Sequence, residues 1–171
     1  MPSSPDHQTN RGFEQRALRD ILGRFATGVT VMTTRAAGGE PVGMTVNSFT
    51  SVSLEPPLIL WNIAKSSNSL DAYLQAKDFA IHILNADQLA LSIQFARSDH
   101  TMFNGVSYER SAANVPILPN CAAVFECSTH KIHDSGDHYI IVGRVDRFTW
   151  EKSEPLLFFR GRYRKLGDKI D

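Results

Sequence analysis

The strands of this chain come in hairpins. Val29 to Thr34 is a β-branched run, Ala37-Gly38-Gly39-Glu40-Pro41 is a turn, and Val42 to Phe49 reads as the return strand. Ala122 to Ile132 and His138 to Trp150 repeat the pattern around Asp134-Ser135-Gly136-Asp137. Between these pairs lie a short extended piece at Ser51 to Leu54, an apolar strand at Leu58 to Ile63, and strands at Phe79 to Leu84 and Leu156 to Phe159. Strands joined this way do not alternate regularly with helices, so a doubly wound parallel sheet is disfavoured and an antiparallel barrel favoured.

Three helices punctuate the strands. Leu18, Ile21, Leu22 and Phe25 share one face of a helix over Phe13 to Ala26. Lys65-Ser66-Ser67-Asn68-Ser69 opens a short helix from about Leu70 to Ala76. Asp87 is the expected cap of a third helix reaching about Arg97, with Leu89, Ile93 and Ala96 inward. Residues 98–120 read as loop, and the basic end from Arg160 to Lys165 as a tail to the last strand. Expected domain limits are 13–166, with a disordered tail at 1–12 and a short one at 167–171.

A chain of 171 residues buries roughly 68–70% of its unfolded surface, enough for a core without staples. Lys plus Arg and Asp plus Glu are 18 each, a net charge of zero, whereas nucleic-acid-binding domains carry a basic excess. No apolar run approaches the ~18 residues of a membrane span. Met1 to Asn10 is polar and unlike a signal peptide, so a cytoplasmic location is expected. Cys121 and Cys127 lie on one expected strand about 20 Å apart at ~3.3 Å per residue, too far for a disulfide. His130 and His133 point to opposite faces of a strand, and no metal site is expected. His7, His82 and His100 are scattered, and each reads as a surface or internally satisfied imidazole. There is no Gly-x-Gly-x-x-Gly, no phosphate loop and no nucleophile elbow.

Two stretches suggest chemistry. In Thr45 to Ser53, six of nine residues carry a hydroxyl or an amide. Small neutral donors and acceptors at a barrel rim suit the edge of a flat heterocycle, and they equally suit a plain edge strand. Lys65 to Ser69 at a helix start is either a seat for an anion or an ordinary cap.

Four ordered elements carry a resemblance. Arg24-Phe25-Ala26-Thr27-Gly28-Val29-Thr30-Val31 is followed by Gly43-Met44-Thr45 through to Leu54-Glu55-Pro56-Pro57-Leu58, then Gly136-Asp137-His138, then Pro155-Leu156-Leu157-Phe158-Phe159-Arg160-Gly161-Arg162-Tyr163. Together they resemble the flavin reductase-like family, the small reductase components of two-component flavin monooxygenases. The resemblance implies a mainly β fold, a split β-barrel with antiparallel, Greek-key-like strands and a few short helices, in a homodimer. It implies FMN or FAD along Thr45, Val46, Asn47, Ser48, Ser51, the Val52 amide and Ser53, with the phosphate at Ser67, Asn68 and Ser69. His138 would act beside the nicotinamide of NADH or NADPH, with Arg160 and Tyr163 helping to bind it, though His138 could instead cap a turn. Reduced flavin would pass to a partner monooxygenase by diffusion. A flavin-binding carrier or sensor without nicotinamide turnover, or a reductase with a dedicated acceptor such as a corrinoid, are the alternatives. Many relatives carry a basic residue before the phenylalanine at Phe103, expected here as a ring or loop contact; this chain has Met102.

Overall fold

In a computed structural model, residues 14–97 and 101–170 are described. The tail expected at 1–12, and Phe13, lie outside them. The elements are α1 (Gln15–Leu22), β1 (Thr27–Gly28), β2 (Thr30–Arg35), β3 (Pro41–Val46), β4 (Thr50–Leu54), β5 (Pro57–Ala64), α2 (Leu70–Gln75), β6 (Asp78–Ile83), α3 (Leu89–Phe95), β7 (Glu109–Arg110), β8 (Pro116–Ile117), β9 (Ala123–Ser135), β10 (His138–Trp150), β11 (Leu157–Phe159) and β12 (Arg162–Arg164).

Seven strands form one antiparallel sheet in the order β3-β2-β6-β9-β10-β5-β4. Its two edges are β3 and β4, which only residues 47–49 separate in the chain. From Val46 to Thr50 the chain spans at most ~14 Å, so the sheet must curl until the end of β3 comes near the start of β4. The result is a barrel split between β3 and β4. A smaller sheet, β1-β11-β12, and a β7-β8 pair are separate from it. The β9–β10 hairpin, 13 residues on each side, turns through Gly136 at φ 65°, where a side chain would be strained.

The core has two parts. One gathers Val29, Val31, Leu84, Phe95, Leu118, Cys121 and Leu156; the other gathers Met32, Trp61, Ile63, Tyr73, Phe79, Ile81, Cys127 and Ile141. The two thiols therefore belong to different clusters, both free, as their expected separation requires. Burial pushes Cys121 up to about 11 and Cys127 to about 12, which keeps both inert. His82 is fully buried on β6. Its Nδ1 is 3.0 Å from the Val31 carbonyl and its Nε2 accepts from the Leu118 amide at 3.1 Å. It is an internally satisfied imidazole.

Several expectations need correction. On α3 the buried residues are Ser92 and Phe95, while Leu89 and Ile93 are exposed. The helix is rotated so that the small Ser92 faces β3, where its carbonyl accepts from Thr45 Oγ1 at 2.7 Å. Its N-cap is Gln88, not Asp87; the Asp87 carboxylate instead lies 3.3 Å from Lys165 Nζ. The expected tail after Phe159 turns back through Arg160 and Gly161, both at positive φ, into β12. Helix α1 stops at Leu22 rather than Ala26, so Leu18, Ile21 and Leu22 lie on it while Phe25 lies beyond its Gly23 C-cap, and it has no buried residue within the chain.

Candidate functional site

Because β3 is a sheet edge, the space beside it stays open. Two cavities border it, and a third opens beyond its end at Asn47. The first, about 360 Å3, lies between Met44 and Thr45 on β3, Ser66 to Ser69 before α2, and Phe95 to Arg97 at the end of α3. The second, about 510 Å3, shares Met44 and Thr45 and adds Val46, Asn47, Ser48, Asn62 and His138. The third, about 710 Å3, shares Asn47 and adds Arg19, Arg24, Phe25, Thr27, Phe158 and Arg160. Met44 and Thr45 border both the first and the second cavity and Asn47 both the second and the third, so the three adjoin in a trough from the serines before α2 past His138 to the β11–β12 turn.

Several polar groups in the trough are already engaged. Ser48 Oγ accepts from the Asn62 amide at 2.9 Å and so ties the 47–49 link to β5. Thr45 Oγ1 donates to Ser92 O, and Ser92 Oγ is 3.0 Å from the Tyr163 hydroxyl. Ser67 Oγ accepts from the Ser69 amide at 3.3 Å, an ordinary local cap. Lys65 Nζ is 2.7 Å from Asp134 Oδ1 and over the Tyr139 ring; its hydrogen bond to Asp134 raises its pKa. Lys65 thus turns toward the β9–β10 turn rather than into the trough.

Other groups are free to meet a ligand. Asn62 Oδ1 is buried with no partner, in a residue that lines the second cavity. A buried amide oxygen without a donor is costly, so it marks a place where a donor is wanted. His138 is 45% exposed and its Nδ1 is 2.7 Å from Asp137 Oδ1. That bond holds the Asp137 carboxyl below its ordinary range. With Nδ1–H given to the carboxylate, Nε2 of the neutral ring is an acceptor. A planar ligand flanked by neutral polar groups, with a basic region at either end, fits this layout.

A profile described as "Flavin reductase like domain" matches residues 22–167. The chain belongs to the flavin reductase-like family. It is 47% identical to the FMN reductase (NADH) SmoA of Agrobacterium fabrum over 89% of this chain and 86% of the relative. It is 42% identical to the reductase component of the flavin-dependent trigonelline monooxygenase of Acinetobacter baylyi, over 86% of this chain and 48% of that protein. The chain thus spans only about half the length of some relatives. Among solved structures, the NADH:FAD oxidoreductase SgcE6 of Streptomyces globisporus, in complex with NAD and FAD fragments, superposes with a TM-score of 0.87. The two are 35% identical over 92% of this chain and 96% of that one.

Of the residues that flavin reductase-like membership would assign to the flavin, Thr45, Val46, Asn47 and Ser48 line the second cavity, and Ser67, Asn68 and Ser69 the first. Ser51, Val52 and Ser53 sit on β4, the opposite edge of the split, and line neither. Val52 is the extra residue of a bulge against β5, so the ladder skips its amide, as a ligand contact there would need. Phe103 stacks edge-on against Phe95 and Tyr108 and lines none of the three cavities. Arg160 lines the third cavity, fixed by its amide donating to Gly23 O at 2.8 Å. Tyr163 does not line it; the ring packs on Phe158 and the hydroxyl reaches Ser92.

Sequence reasoning did not single out Asn62, Arg24 and Arg97, which line the cavities, or Ser92, which anchors α3 beside them. Asn62 was legible as the one amide in an otherwise apolar strand. Ser92 and Arg97 gave no signal, because their importance comes from the rotation of α3 against β3. Among the described residues no cluster of histidine, cysteine and acidic side chains could hold a metal.

Proposed function

We propose that the protein is an NAD(P)H:flavin oxidoreductase that reduces FMN or FAD and releases it to a partner monooxygenase. The observation that carries this is the set of adjoining cavities on and beyond β3, which brings together a serine-rich end, a neutral polar middle and an arginine-bearing end. The unpartnered Asn62 oxygen supports a flavin fit, since a flavin edge offers an N–H donor. Thr45, Asn47, Ser48 and Asn62 would border the ring, with the Val52 amide from the opposite edge, and Ser66 to Ser69 the tail.

When bound, a flavin supplies the capacity to take a hydride from a nicotinamide. The protein's part is alignment and exclusion of misplaced encounters. His138 Nε2, fixed by Asp137, would accept a hydrogen bond from a nicotinamide carboxamide. Arg160 and Arg24 would meet the dinucleotide's phosphates. Tyr163 would act indirectly, holding Ser92 and through it Thr45. Main-chain amides beside the ring would stabilise negative charge that builds there.

We further propose that the active form is a homodimer in the cytoplasm. Support for the dimer is the apolar surface left bare: Ile21, Leu22 and Phe25 around α1 are 64%, 63% and 79% exposed, and Trp150 is 73% exposed at the end of β10. Among the described residues no helix is long and apolar enough to cross a membrane.

A steady-state assay at 340 nm over NADH and NADPH, each with FMN and FAD, tests the reading. Oxidation of at least one nicotinamide well above the uncatalysed rate is expected. Bound flavin without turnover in any of the four combinations would remove the reductase assignment.

A further inference from the structure

If a flavin tail lies in the first cavity, that cavity must meet a phosphate, and the role assigned below to its facing wall rests on this proposed flavin reading. The neighbourhood offers fewer donors than Lys65 to Ser69 suggested. Helix α2 is only six residues long, so its macrodipole is small. The amides of Ser67, Ser69 and Leu70 are given to Ala64 O, Ser67 Oγ and Ser67 O. Lys65 is held by Asp134 and does not line the cavity. Met102 is apolar and buried in the core. Among the described residues, a phosphate seated between Ser66 and Ser69 would therefore find no countercharge on this side, and one must come from the facing wall.

That wall carries Arg97. It lines the same cavity as Ser66 to Ser69, two residues beyond the end of α3, and is exposed. The anchoring of α3 fixes where it stands. Phe95 is buried against Phe103, and Gln94 Nε2 donates to the carbonyls of Met102 and Asn104 at 3.0 and 2.9 Å. Ser92 holds the other side of the helix to β3. Among the described residues that line this cavity, Arg97 is the one cation.

We infer that Arg97 is the cation that holds the phosphate attached to the ribityl chain, facing the hydroxyls of Ser66 and Ser69 across the first cavity. Guanidinium suits this role because it presents several N–H donors in a fixed plane to phosphate oxygens. That phosphate is common to FMN and FAD and absent from riboflavin, so Arg97 sets the preference for phosphorylated flavin without touching the ring.

The test is equilibrium binding of riboflavin, FMN and FAD without nicotinamide, read by flavin fluorescence, for the wild-type chain, Arg97→Met and Arg97→Lys. Arg97→Met should weaken FMN and FAD by about tenfold or more, the range of a charge-assisted hydrogen bond. Riboflavin should change by less than about twofold. Arg97→Lys should recover part of the loss, and salt should weaken FMN binding to the wild type more than to Arg97→Met. An unchanged FMN-to-riboflavin ratio in Arg97→Met overturns the assignment. So does a loss confined to FAD, which would put Arg97 at the outer phosphate. A wild-type chain that binds riboflavin and FMN equally overturns it while leaving the flavin site standing. One that binds no flavin overturns both.

Discussion

His138 gives one ring nitrogen to Asp137 and keeps the other for a ligand. His138→Ala should therefore raise the KM for the nicotinamide or slow flavin reduction, with the flavin dissociation constant unchanged; steady-state kinetics beside a flavin titration separates the two. A collapse of flavin binding with reduction intact would move His138 to the other ligand. Asn62 makes the opposite kind of prediction, because its side-chain oxygen is buried without a partner. Asn62→Leu removes that unsatisfied group, so stability to denaturant should hold or rise. Flavin affinity should fall about fivefold, the value of one net hydrogen bond of ~1 kcal/mol. Loss of stability together with unchanged affinity would mean that the amide serves the fold alone.

At the scale of elements, the trough depends on how closely α3 approaches β3. Gly43 permits that approach, since a Cβ there would overlap the Phe95 ring and come within 3.2 Å of Phe103. Gly43→Ala should cost about 1–3 kcal/mol in chemical denaturation and should weaken flavin binding by shifting Thr45. An unaltered midpoint would show that the helix can slide at no cost. This contact also explains what could be read in advance. The long strands were legible because β-branched runs and turn residues announce themselves, whereas the short strands β7, β8 and β12 lie in stretches that read as loop and tail. The face of α3 was not. Leu89 and Ile93 had the right spacing for burial, yet a small residue and a phenylalanine fit against the glycine of β3, and that fit is set by the partner strand. The hydroxyl-rich stretches were legible only in part: Thr45, Ser48 and Ser67 line the cavities while Ser51 and Ser53 do not, and which hydroxyls the protein uses itself depends on Ser92, Asn62 and Ser69. The place of Tyr163 was not legible, because the return of the chain as β12 packs its ring against the core.

Over the whole molecule, the buried His82 couples stability to pH. Burial lowers its pKa to about 4, against 6.5 for the free side chain. The unfolded chain thus takes a proton that the folded chain refuses. Its contribution is present above pH 6.5 and is lost as pH falls toward 4, by up to ~3 kcal/mol. Unfolding midpoints should drop between pH 7 and pH 4.5, and a proton NMR titration should show His82 still neutral at pH 5.5. A His82 signal that titrates near 6.5 would mean that its two hydrogen bonds do not persist in solution. The bare apolar residues on α1 and β10 bear on the same scale. Light scattering should give about twice 19.0 kDa, and a stable mass of one chain at micromolar concentration would remove the proposed dimer.

For the proposed reaction, the second cavity must hold the flavin ring and the nicotinamide against each other, with the flavin tail and the dinucleotide phosphates leading away on either side. A crystal structure with FMN and NAD bound tests this directly. The ring should lie beside Thr45 and Asn62, the flavin phosphate between Ser66, Ser69 and Arg97, and the nicotinamide near His138 with its phosphates toward Arg160. Flavin bound elsewhere on the barrel, or a trough closed by the protein's own side chains, would contradict it.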